Sequence, residues 1–162
     1  MASSNPAGRD RDLYAAVQDI QAGYWMEMRQ VLARTGNWPQ WTSRTQVLGI
    51  VAAQANVVEL WLKEEPESLA ARVMYARVAT ERVLQAHRRN WARDYRKAQD
   101  LEKLVARARD ACHRAAEGNP DDAVPWICRL ALAETDTAGL HPEHDVAPPP
   151  HEYLLPRGPW GL

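Results

Sequence analysis

Two stretches decide the fold: Glu65-Pro66-Glu67-Ser68-Leu69-Ala70-Ala71 and Asn119-Pro120-Asp121-Asp122-Ala123-Val124-Pro125. Each holds a helix end, a proline, an acidic residue, an N-cap residue and the start of a new apolar run. Proline lacks an N–H and its ring clashes with the preceding turn, so no helix runs through Pro66 or Pro120. Ser68 and Asp122 carry oxygens that accept from the free N–H groups of the helix that follows. The same punctuation used twice reads as a junction between stacked helical hairpins. A single hairpin has too little core, so its neighbour must cover the open face.

Working outward, Ser68 caps a helix from Leu69 to about Arg89. It is apolar at Leu69, Val73, Ala76, Thr80 and Val83, with Tyr75, Val78 and Leu84 widening the stripe. An arc that wide is covered on two sides. Residues 90–95 read as a connection. The next helix runs from about Lys97 to Glu117, with Leu101, Leu104, Val105, Ala108, Cys112 and Ala115 inward, and Gly118-Asn119-Pro120 ends it. Asp110 and Arg114 form a favourable i,i+4 pair. A last helix follows Asp122 to about Glu134, with Pro125 in its first turn and Trp126, Leu130 and Ala133 on one face.

Towards the N-terminus, Leu13, Val17 and Ile20 share one helical face, and Trp25, Met28, Val31 and Leu32 another. Gly23 between them suits a tight turn, so the reading is two short antiparallel helices; one continuous helix with an internal glycine is the alternative. Gly36-Asn37 stops the second, with Pro39 just beyond. Thr42-Ser43 reads as the next N-cap, followed by the stripes Val47, Ile50, Val51, Gln54 and Val57, Val58, Trp61, Leu62. A weak break near Ala55-Asn56 separates two short helices, or bends a single one. No period-2 alternation of β-branched residues occurs, so no sheet is expected. The expected organisation is all-α: a disordered N-terminus over 1–9, a helical domain over 10–135 and a proline-rich irregular tail over 136–162.

Composition narrows the function classes. With 46% hydrophobic and 25% charged residues, the 162-residue chain has the globular mix and the length for one sizeable core. A formal net charge of -1 gives no global field toward nucleic acid or an anionic membrane. No apolar run approaches the ~20 residues of a membrane span, and the start lacks a signal-peptide pattern, so a soluble, cytoplasmic protein is expected. Cys112 and Cys128, the only cysteines, sit in apolar helical patterns and read as reduced, buried thiols, with a disulfide or metal pair as the minor alternative. The basic residues are nearly all arginine and phenylalanine is absent, a bias that suggests a GC-rich bacterial genome.

The residues also resemble a known repeat. Ala108, Cys112 and Ala115 followed by Pro120 look like the small-residue second helix of a tetratricopeptide repeat, a ~34-residue helix–turn–helix. Ala22-Gly23-Tyr24-Trp25-Met26-Glu27-Met28 looks like its Gly-aromatic turn, and Trp126 stands where its first helix often places a large residue. The match covers residues 10–134 and is degenerate: the second unit is short, the third overlong, and Trp61 stands where the family has alanine. The chain resembles a bacterial family of such TPR-like proteins with no assigned function. There a Pro-Gly-Pro-Trp-Gly-Leu-like segment is followed by further helices, so Arg157-Gly158-Pro159-Trp160-Gly161-Leu162 at the end implies a shortened member.

Candidate chemistry is sparse. His141-Pro142-Glu143-His144-Asp145 gathers metal-ligating side chains, but in a loop broken by Pro142, where solvation is the preferred reading. Residues 87–97 are basic, with Arg88, Arg89, Arg93, Arg96 and Lys97 around Trp91 and Tyr95. They offer phosphate neutralisation and base stacking, though Asp94 interrupts them and a solvated corner is preferred. Arg72, Arg77 and Arg82, with Glu59 and Glu81, offer a groove that clamps a partner's carboxylate. The tail brings Tyr153, Leu154, Leu155 and Trp160, either folded back over the last helix or docked on a partner. No phosphate loop, nucleophile elbow or Cys–His pair is present, so no enzyme activity and no cofactor are expected. The leading expectation is a scaffold or adaptor for a protein or peptide partner; a nucleic-acid-binding module and a metal protein or enzyme are the alternatives.

Overall fold

A computed structural model describes residues 7–136. Among these residues there are seven α-helices and no strand. α1 (Arg11–Gln21) starts at Asp10, whose Oδ1 accepts the Leu13 N–H at 3.1 Å. Gly23, at φ +92°, turns the chain where a side chain would be strained. α2 (Met26–Ala33) follows; its Glu27 N–H is satisfied by Asp19 Oδ2 of α1 at 3.0 Å, so one helix caps the next.

α3 (Trp38–Ala52) begins earlier than expected. Asn37 Oδ1 accepts the Gln40 N–H at 2.9 Å, and Pro39 lies in the first turn, where its missing N–H costs nothing. The Thr42-Ser43 cap is therefore corrected to Asn37. α4 (Val57–Glu64) is set off from α3 by a 111° bend, at the expected Ala55-Asn56 break. α5 (Leu69–Arg88) starts at Ser68, whose Oγ accepts the Ala71 N–H at 3.2 Å. Asn90 adopts a left-handed conformation, φ 59°, and a 3-10 turn (Trp91–Arg93) leads to α6 (Tyr95–Gly118), capped by Asp94. α7 (Val124–Thr135) opens with Pro125 in its first turn.

The odd-numbered helices pack in sequence, α1 on α3, α3 on α5 and α5 on α7. α2 lies on α1, α4 on α5, and α6 spans α5 and α7. α5 touches α2, α3, α4, α6 and α7, which is why its buried arc runs from Ala70 and Ala71 through Met74, Val78 and Val83 to Ala86. Trp41 and Trp61 are the largest fully buried side chains, and Trp25 stacks on Trp61 with centroids 5.8 Å apart. Ala7, expected in a disordered terminus, is buried and its carbonyl accepts the Asp10 N–H.

Two faces differ from the pattern. In α3 the buried side carries Trp41, Arg44, Thr45, Leu48, Gly49 and Ala52, so Ile50 points outward. Arg44 can be buried because it ion-pairs with Asp10 at 2.9 Å and donates to Thr35 Oγ1 at 3.0 Å. In α7 the buried side is Val124, Pro125, Cys128 and Leu132, leaving Leu130 exposed and Trp126 half-buried beneath Arg129. No single helix among the described residues is long and apolar enough to cross a membrane; only α3 and α4 taken together reach that length and composition, across their bend.

Candidate functional site

Gly49 sets the closest approach between α3 and α5. A Cβ there would stand 2.8 Å from Arg77 Cβ, so only glycine permits this crossing. Alongside it α3, α5 and α7 leave a slot of about 150 Å³. Gln46 and Ile50 come from α3, Arg77, Thr80 and Glu81 from α5, and Ile127 and Cys128 from α7. Ile50 is 47% exposed and Ile127 38%, so two exposed apolar side chains border a slot whose lining mixes Arg77, Thr80 and Glu81 with Leu84, Cys128 and Ala131. Arg77 is held in place: its Nε donates to Thr45 Oγ1 at 3.2 Å and its Nη2 to the Thr42 carbonyl at 2.9 Å.

Just before α7, and not among the residues lining the slot, is a buried carboxyl. Asp122 accepts from Trp41 Nε1 and from the Val124 N–H, each at 2.9 Å. Burial raises its pKa to about 6, against the lowering effect of those two donors and of the Arg77 charge. At the other end, burial works to raise the Asp10 carboxyl, but the Arg44 guanidinium and the Leu13 N–H together outweigh it and hold the group below its usual value.

The three arginines expected to share a groove do not converge. Arg72 lies on a different cavity of about 560 Å³ between α4, α5 and α6, lined also by Leu62, Tyr75, Asp110 and Arg114. There it pairs with Glu67 at 3.2 Å, while Arg114 pairs with Asp110 at 3.0 Å. Arg82 closes the α3–α4 corner, donating to the carbonyls of Ala53 at 3.2 Å and Ala55 at 2.7 Å and pairing with Glu59. Only Arg77 borders the slot.

In the basic stretch, Arg88 pairs with Glu81 at 2.9 Å. Lys97 stands over the Trp91 ring, 5.5 Å from its centroid, and that ring packs on the core. Arg89, Arg93 and Arg96 are exposed, and Tyr95 is 91% exposed. Tyr153, Leu154, Leu155, Trp160 and the His141 to Asp145 run lie outside the described residues. Among the described residues no group of three or more His, Cys, Asp or Glu side chains is placed to hold a metal.

Sequence reasoning missed Ile50 and Ile127 as surface groups and Gly49 as a contact. The signal was there for Ile50. With Trp38 and Pro39 in the first turn, the positions 41, 45, 48 and 52 form the i, i+4, i+7, i+11 stripe and place 50 off it. No family model matches the chain, and no curated protein or solved structure matches it.

Proposed function

We propose that this protein is a non-catalytic scaffold that holds a protein or peptide partner on TPR-like helical hairpins, with the α3–α5–α7 slot as part of the holding surface. The observation that carries this reading is the pair Ile50 and Ile127, both exposed and both bordering a slot that Arg77, Thr80 and Glu81 also line. Two exposed apolar side chains exclude water from a partner side chain, while the polar groups of the same slot give it orientation. Successive packing of α1, α3, α5 and α7 is the neighbour-on-neighbour stacking expected of such repeats, and it supports the TPR-like reading. With Arg77 tied to Thr45 and Thr42 and Glu81 paired with Arg88, the charges of the slot are already engaged, which suits a polar backbone or an amide better than a lone carboxylate.

The test is selection of random peptides displayed on phage against the full chain and against the Ile50→Glu/Ile127→Glu double variant. Sequences enriched by the wild type and lost on the folded double variant support the proposal. Sequences retained equally by both, or no enrichment over the urea-unfolded chain, contradict it.

A further inference from the structure

A second cavity, of about 520 Å³, lies where the end of α7 meets α5 and α6, and it shares no lining residue with the slot. Ala92, Leu101, Val105 and Ala106 give it apolar surface. Thr135 and Asp136, the last two described residues, line it as well. The exit of the chain is pinned there. The Thr135 hydroxyl donates to the Leu132 carbonyl at 2.6 Å, and Asp136 pairs with Arg109 of α6 at 2.8 Å. The chain therefore leaves α7 at the edge of an apolar hollow on the neighbouring helix.

Beyond the described residues the sequence continues Thr137-Ala138-Gly139-Leu140-His141-Pro142. Leu140 is the first large apolar residue after Asp136. At ~3.6 Å per residue it reaches at most about 14 Å from Asp136. Val105 and Leu101 precede Arg109 on α6 by four and eight residues. They stand about 6 and 12 Å from it along the helix axis, so Leu140 can reach both. Pro142 keeps a regular helix from carrying α7 on past this point.

We infer that the cavity between α5, α6 and α7 is the seat of this chain's own Leu140, which folds residues 137–142 back against α6. Tether length selects this occupant. A segment so closely attached is present at an effective concentration on the order of millimolar, which a second copy or a separate peptide would have to match. The chemistry agrees with it. The apolar lining suits an aliphatic side chain, and the charge of Arg109 is already met by Asp136. The consequence is a cap. The last hairpin of a stack has no neighbour to cover its open side, and Leu140 supplies part of that cover while fastening the end of α7 to α6.

The test uses the full chain, alone in solution, with carbon-13 in its leucine and valine methyl groups. The Leu140 methyls are assigned through bonds to their own backbone. The expected result is nuclear Overhauser cross-peaks from Leu140 to Val105 and Leu101. In a mixture of labelled and unlabelled chains, an isotope filter should place those cross-peaks within one chain. In Leu140→Asp, amide hydrogen exchange over residues 101–109 should quicken roughly tenfold. Leu140 methyls without a contact to Val105 or Leu101 overturn the inference. So do contacts that arise only between chains, which would seat a second copy there, and contacts to Val105 made by Leu154 or Leu155 instead. Unchanged exchange in a folded Leu140→Asp overturns it too, and the wild-type cross-peaks decide if that variant does not fold. No partner is added and no slot residue is altered, so the outcome stands apart from the scaffold reading.

Discussion

Trp41 Nε1 donates to Asp122 Oδ2 at 2.9 Å, tying the start of α3 to the α6–α7 corner across 81 residues of chain. Asp122 uses its other oxygen to hold the Val124 N–H, so one buried carboxyl anchors the start of α7 to α3, although Ala123 and not the expected Asp122 stands at the N-cap. Burial dominates its titration and raises it to about 6, from 3.8 when unfolded. The folded chain thus binds this proton more tightly than the unfolded chain. Its stabilising contribution is full below pH 3.8 and is lost as pH rises through 6. The loss is about 3 kcal/mol over that interval. Urea denaturation from pH 4.5 to 7.5 should show wild-type stability falling through this window, and Asp122→Asn should flatten the fall. Parallel profiles for the two proteins would refute the assignment. Asp10, held below its usual value once the Arg44 and Leu13 contacts outweigh burial, acts with the opposite sign and only at more acidic pH.

Gly49 is predicted to tolerate no side chain. Alanine favours a helix interior by roughly 1 kcal/mol over glycine. The added Cβ, however, would meet Arg77 Cβ at 2.8 Å, an atom fixed to the α5 backbone. Gly49→Val should therefore destabilise the protein by about 1–3 kcal/mol through overpacking. Chemical denaturation measures this directly, and an unchanged or raised midpoint would show that the α3–α5 crossing is looser than described.

The arginines should separate into two groups by stability. Arg82 satisfies the Ala53 and Ala55 carbonyls and pairs with Glu59. Arg82→Met keeps the aliphatic stem but removes the donors, at an expected cost of about 2 kcal/mol. Arg93 is exposed, so Arg93→Met should change stability by no more than about 0.5 kcal/mol. Equal midpoints for the two variants would contradict the capping role of Arg82.

The basic-aromatic stretch yields a separate expectation. With Lys97 over Trp91 and that ring packed on the core, Tyr95 is the ring left open for stacking. Fluorescence anisotropy with single-stranded RNA should show weak binding that disappears at physiological salt. Binding that persists there and is abolished by Tyr95→Ala would favour a nucleic-acid function.

Helices were legible at some of the chemical punctuation and not at all of it: Thr42-Ser43 lies inside α3, which Asn37 caps. Ser68 and Gly23 each act where their chemistry pointed, because a cap or a positive φ is a local property. Local signals said less about which face turned inward. Arg44 and Thr45 occupy the buried side of α3 because Asp10, Thr35 and Arg77 satisfy them, and those partners arrive only with the tertiary fold. The candidate slot was illegible for the same reason. It depends on three helices distant in sequence and on Gly49, whose need for a bare Cα comes from a neighbour on another helix. Arg72, Arg77 and Arg82 looked like a set by spacing, yet α5 sends them to three different environments.

The scaffold reading is tested most directly by a footprint. A peptide selected on the full chain is titrated into isotope-labelled protein, and amide chemical shifts are followed residue by residue. The account predicts that perturbations concentrate on Gln46, Ile50, Glu81, Ile127 and their neighbours. A footprint centred on residues 87–97, or on the α4–α5–α6 cavity instead, would contradict it.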